Sequence, residues 1–187
     1  MLQAARRLLG PTLGRLARMV GLPRERKEFE PGELDALLSH LAYEWLMFGA
    51  MRNLWKQTQQ PHILECLLLH ARALREFLFD TQEGYPARYL DNALFATDYV
   101  PDWVAEKGKH TYQVLWDTKE AIDAQLSHLS RGRSRSEATE TLDEGAIEIA
   151  DALDLAWQSF SKALGASTWH PAFQRALIEQ RLKLGLS

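Results

Sequence analysis

The chain has 187 residues, 46% of them hydrophobic and 10% aromatic, a formal net charge of −3 and a single cysteine. That apolar content excludes a globally disordered chain, and the near-balanced charge excludes a domain-wide pull on nucleic acid. With Cys66 alone there is no intramolecular disulfide framework, and no apolar run reaches the ~18 residues of a membrane span, so a cytoplasmic protein is expected.

Charge is distributed unevenly along the chain. Residues 1–27 hold Arg6, Arg7, Arg15, Arg18, Arg24, Arg26 and Lys27 against Glu25 alone. Through residues 2–20, Leu2, Ala5, Leu8, Leu9, Leu13, Leu16, Met19 and Val20 recur at steps of three and four, with Arg7, Arg15 and Arg18 opposite. This predicts an additional amphipathic N-terminal helix, interrupted at Gly10–Pro11. Such a segment suits docking on the chain's own bundle, a membrane surface reached through residues 1–22, or an organellar address. "GLPRERKEFEPG" at 21–32 is a linker in this reading, so the expected division is a basic segment at 1–27 and one helical domain at 28–187.

Beyond the linker, residues 33–57 repeat Leu34, Leu37, Leu38, Leu41, Trp45, Phe48 and Leu54 at helical spacing, and Pro61 bars continuation. Residues 62–79 carry an inner stripe of Ile63, Leu67, Ala71, Leu74 and Leu78. A turn-rich stretch with Gly84, Pro86 and Pro101 fills 80–103, leaving "LDNALFA" room for a turn or two. Helical spacing returns over 110–130 through Leu115, Ile122, Leu126 and Leu129, and the polar 131–141 is expected to be a loop. A helix over 142–164 begins acidic, as the macrodipole favours, and Gly165 is placed to stop it. Pro171 opens a last helix over 170–184. Strand-period alternation is nowhere sustained, so the expected architecture is an all-α bundle of four to five principal helices.

Few patterns carry chemistry. There is no nucleophile elbow, phosphate-binding glycine loop, dinucleotide fingerprint or H-E-x-x-H pair. His62, Cys66 and His70 line one helix edge at steps of four, but a straight helix cannot close a tetrahedral metal site. His70 beside Leu67 and Leu74 suits a hydrogen-bonded imidazole at the core edge, and Cys66 suits a buried, unreactive thiol. Asp143, Glu144, Glu148, Asp151 and Asp154 suit a solvated acidic face. No metal or cofactor is expected. His128 projects away from its helix's leucine stripe, beside Arg131 and an arginine-rich loop with Arg133 and Arg135. An imidazole there would move a proton from a ribose 2′-hydroxyl while the guanidinium held phosphate, with Arg131, Arg133 and Arg135 as RNA contacts. The alternative is cations complementing a helix C-terminus.

The stretches "ECLLLHARALREFLF" (65–79), "IDAQLSHLSRGR" (122–133) and "ALDLAWQSFSKAL" (152–164) together resemble small all-helical proteins of the HEPN superfamily. The resemblance implies a bundle that binds RNA or a protein partner in bacterial stress or defence, acting as a homodimer. The ribonucleases of that group place an Arg ahead of a His with four to six residues between them. No histidine here has one, and Asp123 stands where that arginine would be relative to His128. The implied member therefore lacks standard RNase activity; alternatives are a metal-independent endoribonuclease using His128 and Arg131, and a membrane-surface or organellar protein addressed by its basic N-terminal helix. Aromatic residues at 99, 103, 112 and 116 are candidates for a subunit interface.

Overall fold

A computed structural model describes residues 29–79, 93–104, 110–126 and 136–186. Among these the chain forms six α-helices, one 3-10 turn and no strand, so the all-α class holds. The helices are α1 (Pro31–Thr58), α2 (Pro61–Phe79), α3 (His110–Asp117), α4 (Lys119–Leu126), α5 (Ser136–Leu164) and α6 (His170–Leu184), with the 3-10 turn at Ala96–Asp98. The basic segment 1–27 lies outside the described residues.

Local chemistry sets the boundaries. Pro31 occupies the first turn of α1, where its missing N–H costs no hydrogen bond, and the Glu30 N–H donates to the Glu33 carboxylate at 2.9 Å. Gln59 ends α1 in the left-handed region at φ 48°, its N–H donating to the Trp55 carbonyl, and Pro61 starts α2 immediately. Two residues thus join α1 and α2 into a tight hairpin. Gly185 closes α6 at φ 65°, where a side chain would be strained.

Two helix expectations need correction. The helix expected over 110–130 is divided at Thr118, whose hydroxyl donates to the Val114 carbonyl at 2.6 Å and loosens the ladder. The Ile122 N–H still reaches the Thr118 carbonyl at 2.9 Å, so α3 and α4 follow one another as a single stave. The loop expected over 131–141 ends earlier, because α5 already begins at Ser136. Its first turns carry Glu, Ala and Thr but no apolar stripe, and periodicity cannot detect a helix that is polar all round.

Aromatic stacking ties the staves together. Trp45 of α1 lies on Trp157 of α5, centroids 4.4 Å apart and planes 11° apart. Phe160, one turn on, meets Phe77, Trp103 and Trp157 at 5.1, 5.4 and 5.6 Å. Tyr99, expected as a subunit contact, is 1% exposed and belongs to the core. Its hydroxyl donates to the Leu34 carbonyl at 3.0 Å, and its ring meets Trp169 edge-on at 5.5 Å. Trp169 at the start of α6 therefore lies near the beginning of α1, and Phe173 lies against Trp157, itself stacked on Trp45. The two helices run side by side in the same direction.

Candidate functional site

His128, Arg131, Arg133 and Arg135 lie outside the described residues, which stop at Leu126 and resume at Ser136. Immediately before them, α4 turns Ile122 into the core at 1% exposure and points Asp123 at cations. Arg72 reaches Asp123 at 3.1 Å and Glu76 at 2.9 Å, while Lys119 reaches the other Asp123 oxygen at 3.3 Å. The carboxylate at 123 is thus part of an ion-pair cluster joining α2 to α4.

The edge of α2 marked by His62, Cys66 and His70 separates into different environments. His62 is exposed, and His70 is 6% exposed. The His70 Nδ1–H donates to the Glu44 carboxylate at 2.7 Å, and Tyr43 meets the imidazole edge-on at 5.8 Å. This is the hydrogen-bonded core-edge histidine that the sequence suggests. Cys66 is a correction: it is exposed, because it sits on the flank of α2 away from the Leu67–Ala71–Leu74 stripe. Among the described residues no group of three or more His, Cys, Asp or Glu side chains is placed to hold a metal ion. The acidic run on α5 is also not simply solvated, since Asp151 and Asp154 both bind Arg52 of α1.

A further feature escaped the sequence. Between α1 and α2 opens a groove of about 280 Å³, walled by Leu37, Leu41, Leu74 and Phe77, with Leu94 at one end and Ala73 on its lip. His40, Glu44 and Glu76 stand around it. Its residues recur at steps of three and four on two antiparallel helices, so the cleft exists only once the hairpin closes. Along the same outer face, Leu69 and Tyr43 remain 53% and 37% exposed, extending the apolar surface beyond the cleft. An apolar floor favours a ligand with a greasy face, while Glu44 and Glu76 beside it are already held by His70 and Arg72.

The groove depends on the Glu44–His70 pair. Changing Glu44 to Ala leaves a nearly buried imidazole N–H without its acceptor, at a cost of about 1–2 kcal/mol. Urea denaturation followed by tryptophan fluorescence checks this, and an unchanged midpoint would show that the pair does not hold α1 against α2. No helix among the described residues is long and apolar enough to cross a membrane.

No family model, curated protein or solved structure matches the chain.

Proposed function

We propose that this chain is a helical-bundle binding protein, without standard RNase activity, that works through a protein partner received in the α1–α2 groove. The observation that carries this reading is the run of apolar walls from Leu37, Leu41, Leu74 and Phe77, continued along the same face by the exposed Leu69 and Tyr43. Grooves of this kind take an amphipathic helix, whose apolar face fills the floor. Of the two partner classes raised by the sequence, RNA and protein, the groove favours protein; the RNA reading rests on His128, Arg131, Arg133 and Arg135. An HEPN-like origin, a homodimeric state and a role in bacterial stress or defence belong to the same proposal.

The test is fluorescence anisotropy with two probes added separately to the full chain: a labelled amphipathic peptide with leucine and arginine faces, and a labelled single-stranded RNA. The expected result is micromolar peptide binding, weakened about tenfold by Ala73→Arg, which sets a cation on the groove lip. RNA binding abolished by Arg131→Ala with Arg133→Ala, in the absence of peptide binding, would replace the proposal. RNA cleavage lost in His128→Ala would convert the protein into an endoribonuclease.

A further inference from the structure

The groove belongs to a wider, uncharged face of the α1–α2 hairpin. Along α1, Ala36, His40, Tyr43, Met47, Ala50 and Leu54 follow one another at steps of four and three, on the side turned away from the buried Leu38, Leu41 and Phe48. Ala36, His40 and Tyr43 are exposed, and Met47, Ala50 and Leu54 are half-buried. Over about 27 Å of helix this row holds no carboxylate, ammonium or guanidinium group. A helix that faces water on one side is ordinarily polar there, whereas one that is apolar on both sides packs on both. On α2, Leu69 and Ala73 continue the same face, with Leu69 53% exposed.

Resting on the groove reading above, we propose that the partner received on this face is a second copy of the same chain, packed antiparallel about a twofold axis at Met47. Side-chain size alternates as such an axis requires. Tyr43 lies four residues before Met47 and Ala50 three after, so antiparallel pairing sets the large ring of each copy over the small side chain of the other. Leu54 lies seven residues after Met47 and His40 seven before, which brings Leu54 of each copy to the other's groove, where His40 stands. Charge agrees. The chain carries −3 overall, so two copies repel wherever their carboxylates meet. The α1 row has none, and Glu44 and Glu76 beside the groove are held by His70 and Arg72, so this face lets two like-charged chains approach. Area agrees as well. The two helices side by side form a strip about 27 Å long and about 20 Å wide, roughly 500 Å² per copy. Two such strips bury about 1,000 Å², the lower bound of a specific interface, so the dimer is expected to be weak and micromolar.

Because the axis brings Met47 against itself, one position tests the interface in the full chain. Sedimentation velocity is run from about 1 to about 100 μM on the parent, on Met47→Glu, on Met47→Lys and on an equimolar mixture of the two variants. The parent is expected to pass from monomer to dimer across that range. Each variant alone places like charges at the axis and should weaken association about tenfold or more, whereas the mixture sets opposite charges together and recovers the dimer. Recovery also shows that both variants fold. A parent that stays monomeric throughout overturns the proposal, as does association unchanged in both variants or a mixture that remains monomeric. A monomeric parent that still binds the amphipathic peptide overturns this inference alone and leaves the groove reading standing.

Discussion

Replacing Phe160 with Ala should lower the free energy of unfolding by about 3–5 kcal/mol, the largest loss expected from any single truncation considered. Phe160 is fully buried and makes edge-on contacts with Phe77 and Trp103 and a tilted contact with Trp157. Truncation removes the transfer free energy of the ring and leaves a cavity where α5 meets α2 and the chain around Trp103. The neighbouring rings are fixed elsewhere, so they cannot collapse into it. Trp103 is pinned by its indole N–H, which donates to the Leu78 carbonyl at 2.9 Å, and Trp157 by its stack on Trp45. Rigid surroundings place the cost toward the upper end of the range. In a chain of this length the loss corresponds to a melting temperature lower by roughly 10–15 °C. Thermal unfolding followed by far-ultraviolet circular dichroism measures it, and a drop of only a degree or two would mean that these rings do not form one core.

The same cluster shows which features periodicity can deliver. Ile63, Leu67, Ala71, Leu74 and Leu78 all lie inside, as their spacing on α2 requires, and Leu115 and Ile122 do likewise on the α3–α4 stave. Each is a case in which one helix's register fixes its own inner face, a property local to the sequence. Partnership between helices is not local. Nothing in "ECLLLHARALREFLF" says that His70 will meet Glu44, 26 positions earlier, or that Arg52 will span to Asp151 and Asp154. Those pairings decide whether a charged face is only solvated or also contributes to cohesion, as Asp151 and Asp154 of α5 do through Arg52.

Cys66 and the groove illustrate a finer form of the same limit. Cys66 sits one residue before Leu67, about 100° around the helix, enough to move a small apolar residue from core to surface. Composition favours burying such a residue, but the neighbouring helix leaves that flank open. The cleft is invisible for a related reason: half of its wall comes from α1 and half from α2, and its shape depends on how far apart the two axes settle. That separation reflects the Glu44–His70 pair that joins the two helices. Architecture was therefore legible, and the candidate site was not.

Tyr99 supplies the second large effect, and its signature is a reversal with pH. Burial, reinforced by the negative charge of Asp98 and then Asp35, raises its phenol well above the ordinary value near 10. The folded protein keeps this proton in strongly alkaline solution, while the unfolded chain releases it above about pH 10. A group whose folded pKa is raised contributes stability fully below the unfolded value and loses it as pH climbs beyond. Tyr99 alone should therefore subtract about 1.4 kcal/mol per pH unit above pH 10, or roughly 2–3 kcal/mol by pH 12. Tyr99→Phe separates this contribution from the other groups that titrate in the same range. At neutral pH the variant should be about 1 kcal/mol less stable, because the Leu34 carbonyl loses the hydroxyl that donates to it at 3.0 Å. Above pH 10 the parent falls faster, and the two stability curves should cross near pH 11, leaving the phenylalanine variant the more stable protein. Urea midpoints of both proteins from about pH 8 to about pH 12 test this linkage. Parallel curves would mean that the phenol ionises in contact with water, and that the turn at Ala96–Asp98 does not seal against α1.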